Sequence, residues 1–222
     1  MIDKWNNAQV YELGYWKYIM ENGIVCSNVT SDKIYEFQRK NMLETLLYSE
    51  RPIEFWKDKI IIEFGSGPLG VCEFIDDKEK IAIEPLINEY RKIYNHLQES
   101  DVIYLDKCAE GPLNIPDGYA DLVVSINMLD HVIDPLKVLN EINRICKTNG
   151  YFLFHVNVYL SESDINKKSG MHLDLHPHSF TKIKIFELLE SYNLSVIKFY
   201  CCPEPNEQNE HHFICFGVKK KC

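Results

Sequence analysis

Histidine and carboxylate come together at two places in this chain, at spacings that could move protons or hold a metal. Asp130-His131 is the first pair. An imidazole can take a hydroxyl proton near neutral pH, or it can simply fix the loop that leads to the turn at Asp134. Met171-His-Leu-Asp-Leu-His-Pro-His178 is the second place. Side chains two apart share a face of an extended segment. His172, Asp174 and His176 could therefore bind a divalent metal, or line an acceptor pocket with His178. A polar loop before a helix capped at Ser179 is the plainer reading. His211-His212, at the start of the last apolar run, reads as a surface pair.

The third feature is a glycine turn, Glu63-Phe-Gly-Ser-Gly-Pro-Leu-Gly70, directly after Lys59-Ile-Ile-Ile62. Glu84 ends the next apolar run, Ile81-Ala-Ile-Glu84. A strand, a glycine turn, a helix and a second strand ending in an acid form a nucleotide cradle. Gly65 takes the tight turn, Gly67 lets a ligand approach the backbone, and Gly70 allows close helix packing. Glu84 then meets a ribose diol. A nicotinamide site normally has an apolar strand end, with a helix N-terminus facing the pyrophosphate. Glu63, two residues before Gly65, suits a ligand that carries no phosphate.

These groups need a scaffold, and the rest of the sequence supplies one. Strand-like runs fall at 59–64, 80–84, 101–105, 120–126, 150–157, 194–201 and 211–218, with helical stretches near 69–76, 86–98, 134–147 and 179–191. This alternation predicts an α/β, doubly wound fold with helices on both faces of the sheet, Rossmann-like in its strand–glycine turn–helix start. Its sheet has seven mostly parallel strands, the last antiparallel after the turn-rich Pro203–Glu210 segment. Residues 1–50 read as an N-terminal helical extension. There Tyr11, Tyr15, Tyr18 and Ile19 recur at helical spacing, a stripe that suits core packing, while the extension as a whole is placed to close over a ligand. A second helical stretch, Ser31 to Ser49, follows. The polar Ser161–Gly170 segment suggests a lid within a loop near 158–178. One domain, 1–222, is expected, with residues 51–222 as its core.

Composition narrows the function. The 222 residues are 45% hydrophobic and 12% aromatic, which provides a real core. A formal net charge of −9 opposes a nucleic-acid backbone as partner, and Lys219-Lys-Lys221 is the only basic run. No apolar stretch reaches the ~20 residues of a membrane span, and the N-terminus lacks a signal-peptide pattern. Eight scattered cysteines with no CxxC pair read as reduced thiols. A cytoplasmic protein with a small-molecule partner is expected, and a homo-oligomer is compatible with the sequence.

From residue 59 to 157 the chain resembles class I S-adenosylmethionine (SAM)-dependent methyltransferases. Glu63-Phe-Gly-Ser-Gly67 resembles their first motif and Ile83-Glu84-Pro85 the ribose-binding acid. Cys108-Ala-Glu110 resembles the segment flanking the adenine. Ala120–Asn127 resembles the fourth strand, and Leu129–Pro135 the turn that follows it. Arg144–Gly150 with Tyr151–Phe154 is similar to the fifth strand and its approach. The resemblance implies a SAM site, with S-adenosylhomocysteine (SAH) as product, built from Glu63, Gly65, Ser66, Gly67, Gly70, Glu84, Pro85, Cys108, Ala109, Glu110 and Asn127. Cys108 stands where the family usually has Asp. A thiol is a poor acceptor, so the adenine contact shifts to a backbone carbonyl, Glu110 or Asp106. Asp130, His131, His176 and His178 become the catalytic candidates, with His172, Asp174 and His176 as the metal alternative. The implied reaction is methyl transfer to a hydroxyl of a small polar acceptor such as a sugar or sugar nucleotide. Asn127-Met-Leu129 lacks the Pro-Pro-aromatic signature of many enzymes that methylate nucleic-acid amino groups. The rivals are an NAD-dependent oxidoreductase and a non-catalytic SAM-binding protein.

Overall fold

The computed structural model describes residues 2–24, 28–76, 79–166, 176–207 and 209–221. Runs of branched and aromatic residues form the strands: β1 (Ile60–Phe64), β2 (Glu79–Ile83), β3 (Ile103–Leu105), β4 (Ala120–Ile126), β5 (Cys146–Tyr159), β6 (Phe180–Thr181), β7 (Leu194–Cys201) and β8 (His211–Lys219). They join one sheet in the order β3-β2-β1-β4-β5-β8-β7, with β6 pairing off the path to β5. From β3 to β5 all neighbours are parallel, with Glu63 beside both Ala82 and Val124. β8 is antiparallel to both β5 and β7.

Alternation along each strand sends neighbouring residues to opposite faces. Ile62, Phe64, Phe152 and Phe154 pack with Val138 and Ile142 of helix α4 (Pro135–Ile145) and with Ile185 and Leu189 of helix α6 (Lys182–Ser191). Ile61, Leu122, Val124 and Leu153 face the other way, onto Trp56 and onto Leu46 of helix α2 (Ile34–Leu47). Helix α1 (Ile2–Asn22) joins a third cluster through Ile19, together with Ile34 and with Ile87 and Tyr90 of the short α3 (Ile87–Tyr90). The one-turn α5 (Glu162–Ile165) follows β5. Local chemistry sets the helix starts. Asp134 caps α4 by accepting from Leu136 N and Lys137 N, with Pro135 in the first turn. Thr181 caps α6 by accepting from Lys184 N.

The expected fold class holds, with differences that have local causes. The sheet has eight strands rather than seven, the extra one being the two-residue β6. The antiparallel last strand lies inside the sheet, because β8 pairs with β7 on one edge and with β5 on the other. Helix α6 starts after Thr181, so Ser179 is not its cap. The helix expected at 69–76 reduces to a 3-10 turn at Val71–Glu73, and that near 86–98 to α3 plus a 3-10 turn at Asn95–Gln98. In the first case the amides of Val71 and Cys72 donate to the buried Glu63, as described below. In the second, His96 hydrogen-bonds the carbonyl of Pro68 at 3.0 Å and draws the segment onto the glycine turn. Among the described residues no helix is long and apolar enough to cross a membrane.

Candidate active site

The sheet order reverses between β1 and β4, which opens a crevice at the carboxyl ends of these strands. Gly65 leaves β1 at φ 69°, and a Cβ there would lie 2.3 Å from Met128 Cγ. Only glycine fits that conformation and that contact. Beneath the turn sits Glu63, 1% exposed. Its oxygens accept from Val71 N at 2.9 Å and Cys72 N at 3.0 Å. A Cβ at Gly70 would meet Glu63 Oε2 at 2.5 Å. Gly70 therefore makes room for this carboxylate rather than for a packed helix. Glu84 ends the second strand's run and accepts from Gly67 N and Leu86 N, both at 2.9 Å. Burial pushes each of Glu63 and Glu84 up to about 7, opposed in part by these N–H donors.

Above the turn lies a cavity of about 650 Å3, its open mouth included. Gly65, Gly67, Glu84, Pro85, Cys108, Ala109, Glu110 and Asn127 all line it, so the structure brings these expected residues together. Glu63, Ser66 and Gly70 are not among its lining residues. Ser66 donates to the Gly67 carbonyl at 2.9 Å, so all three shape the turn from behind. Cys108 is half-buried, and burial, then Glu110 and Asp106, push its thiol up. Of its expected substitutes, Glu110 accepts from Ile133 N at 2.6 Å and Asp106 from the Asn88 amide. Trp5, Gln9 and Glu12 of α1 form the roof. Sequence reasoning missed them; their i, i+4, i+7 spacing marks one helical face, but its mixed polarity hid it.

A second groove of about 1090 Å3 continues from the first and shares Ala8, Glu12, Asn127 and His131 with it. One wall is Tyr11, Tyr15 and Tyr18 of α1, which are 50%, 55% and 51% exposed. The tyrosine stripe is therefore groove wall and not core, and α1 packs inward through Ala8 and Ile19 instead. The other wall is Asn127, His131 and His176. Asn127 leaves β4 at φ 51°, and its side-chain oxygen accepts from Asn157 Nδ2 at 3.3 Å.

Asp130 is the buried hub of this wall. Its Oδ2 lies 2.7 Å from His176 Nδ1 and 3.8 Å from His131 Nε2, and the two imidazole rings are 4.2 Å apart. Burial alone would raise the Asp130 carboxyl; the facing His131 and His176 hold it below the usual carboxylate range. His178 is placed differently. Its Nε2 donates to the carbonyls of Val132 and Ile133 at 2.9 and 3.2 Å, and its backbone N to that of Asp130 at 3.3 Å. It fastens the segment before β6 to the loop after β4. His172 and Asp174 lie outside the described residues, as does much of the expected lid. Of the expected surface pair only His212 is exposed; His211 is buried and donates to the Cys202 carbonyl at 2.8 Å. His155 stacks on His212, and burial, then His212, lowers it to about 4.

Residues 35–198 match the family described as a methyltransferase domain. No curated protein matches the chain in sequence. Among solved structures, the fold is similar to YcgJ from Bacillus subtilis, with a TM-score of 0.62 at 14% identity over 84% of this chain and 100% of that one. It is similar to the N-methyltransferase NodS from Bradyrhizobium japonicum in complex with SAH, with 0.63 at 11% over 85% and 90%. A SAM-dependent methyltransferase from Thermotoga maritima gives 0.58 at 17% over 92% and 100%. With the family match spanning most of the sequence, the chain belongs to the methyltransferase-domain family and carries a class I, SAM-dependent-methyltransferase-like domain.

Proposed function

We propose that the protein transfers the methyl group of SAM to a hydroxyl of a small polar acceptor, of the sugar or sugar-nucleotide class. The observation that carries this reading is the pair of connected spaces, one over the glycine turn and one beside it, meeting at Asn127 and His131. The fit to SAM rests on the glycine that nothing larger can replace at Gly65 and on the acid at the cavity edge. Glu84 would hold the ribose diol and the Cys108–Glu110 segment the adenine. Glu63 would act from behind, by shaping the turn. Bound SAM supplies a methyl group on a sulfonium cation.

The chain's own task is to aim the acceptor and take its proton. Alignment in such a displacement contributes much of the rate. The tyrosine wall offers flat apolar faces for a sugar ring, and Asn127, His131 and His176 offer hydrogen bonds opposite. A hydroxyl must also shed its proton, and the Asp130–His131–His176 cluster is where this takes place. His178, tied to two carbonyls, keeps the loop in position. An NAD-dependent oxidoreductase fits less well. The amides of Val71 and Cys72, which would face a pyrophosphate, are already donated to Glu63, and only a 3-10 turn follows. A cationic amine is the competing acceptor, because Glu12 and three tyrosine rings also suit an ammonium group. The free cysteines among the described residues accord with a reducing, cytoplasmic setting.

The test is a thermal-shift series with SAM, SAH and NAD, followed by methylation assays on nucleotide sugars and amines read by product mass. Stabilisation by SAM and SAH with methylated sugar supports the proposal. No stabilisation by either sinks it, and methylation of amines alone moves the acceptor to nitrogen.

A further inference from the structure

Two buried polar atoms beside the acceptor groove have no hydrogen-bond partner among the described residues: Asp130 Oδ1 and His131 Nε2. Leaving such an atom unsatisfied in a buried place destabilises the fold unless a ligand or ion completes it. His131 Nε2 also stands 3.8 Å from the other carboxylate oxygen, Asp130 Oδ2, beyond a hydrogen bond. Both belong to the cluster that also holds His176. One donor atom from each of Asp130, His131 and His176 lies within 4.8 Å of the other two.

We propose that Asp130, His131 and His176 form a binding site for one divalent transition-metal ion of the zinc class, open on its fourth side to the acceptor groove. The ligand chemistry selects the ion. Two imidazole nitrogens and one carboxylate oxygen suit zinc or cobalt, whereas magnesium and calcium take oxygen sets. Three protein ligands with one open position are the arrangement of catalytic sites; structural zinc is closed by four. A metal at ~2.0–2.2 Å from each donor sets tetrahedral donors ~3.3–3.6 Å apart, so His131 Nε2 would close from 3.8 Å on Asp130 Oδ2 while His176 Nδ1 would withdraw from 2.7 Å and exchange its hydrogen bond for the ion. The elements already restrain the set. Asp130 is 3% exposed, and its backbone carbonyl is held by His178 N. His131 N donates to the Met128 carbonyl at 2.9 Å.

The open side decides what the ion does. His131 and His176 both line the tyrosine-walled groove, so the fourth ligand is water in the free protein and the acceptor's hydroxyl in the complex. This consequence rests on the acceptor reading given above. A hydroxyl on the ion loses its proton to solvent at a lower pH than it would in water. Its oxygen then forms the bond to the methyl carbon. The carbon–sulfur bond breaks, and its electron pair returns to sulfur and removes the positive charge. The two histidines hold the ion during this step.

The test uses the full chain without a histidine tag, stripped by chelator and titrated with Zn2+ and Co2+. One ion per chain is expected by calorimetry and mass spectrometry, with visible Co2+ absorption of a four- or five-coordinate site. His176→Gln and Asp130→Asn should each weaken binding by at least ~10-fold, with circular dichroism confirming that they fold. His212→Ala should bind as the wild type does, which distinguishes the cluster from the stacked His155–His212 pair. Wild-type protein that takes up no ion, or loses it only with His212→Ala, overturns the proposal. Full methylation of a hydroxyl acceptor in excess chelator, lost in His131→Ala, also overturns it, and leaves the cluster as a proton acceptor and the function reading intact. Stoichiometric ion binding with no methylation of any hydroxyl acceptor has the opposite meaning: the site stands and the acceptor reading falls.

Discussion

Glu63 and Glu84 show how single residues set this protein's behaviour. Each carboxyl is raised from 4.5 to about 7 by burial. For a group raised in the folded state, the stabilisation is complete below the unfolded value of 4.5 and is lost as pH rises through 7. Urea denaturation of the SAM-free protein should therefore show stability falling across that window, by up to about 3 kcal/mol for each acid. Glu84→Gln should flatten the slope; an unchanged slope in that variant would remove Glu84 from the account. Gly65→Ala combines a left-handed backbone with a 2.3 Å contact to Met128. It is expected to cost ~1–3 kcal/mol of stability and to weaken SAH binding by more than ~10-fold, as measured by calorimetry.

At the scale of elements, α1 divides its work between two faces. Trp5, Gln9 and Glu12 cover the cavity over the glycine turn, and the tyrosines line the neighbouring groove. Tyr15→Ala is expected to raise the acceptor KM about tenfold, which corresponds to ~1.4 kcal/mol, while SAH affinity stays unchanged. A loss of SAH affinity instead would place this face over the cofactor. On the opposite side, Arg144 of α4 clamps the 113–118 loop. It donates to the carbonyls of Leu113 and Ile115 at 3.1 and 2.7 Å and to Asp117 at 2.6 Å, while Glu141 accepts from Leu113 N at 2.9 Å. Glu141, then Asp117, hold the guanidinium above its ordinary range. Arg144→Met leaves these oxygens without their donor and should lower stability by ~1–3 kcal/mol in denaturant titration.

For the whole molecule, the sheet carries both layers and the cap together. Trp5 and Trp16 report on α1, and Trp56 on the buried face under α2. If residues 1–222 fold as one domain, tryptophan fluorescence and far-ultraviolet circular dichroism should trace one coincident urea transition. Fluorescence change at lower urea, abolished by Trp5→Phe with Trp16→Phe, would instead make the cap a separately melting unit.

The sequence by itself determined the parts that depend on neighbouring residues. Strand alternation, the glycine turn at Gly65 and Glu84 at the end of its apolar run all follow from local sterics and hydrogen bonding, and each lies where its residues placed it. Tertiary structure decided what depends on partners distant in the chain. Glu63 reads locally as a ligand contact, yet it lies behind the turn, where it accepts from the amides of Val71 and Cys72. The α1 tyrosines read as core, but the helix turns Ala8 and Ile19 inward. Asp130, His131 and His176 become one cluster because the end of β4 and the approach to β6 meet there. No spacing along a chain encodes that meeting; it is set by which faces the two layers must bury against the sheet.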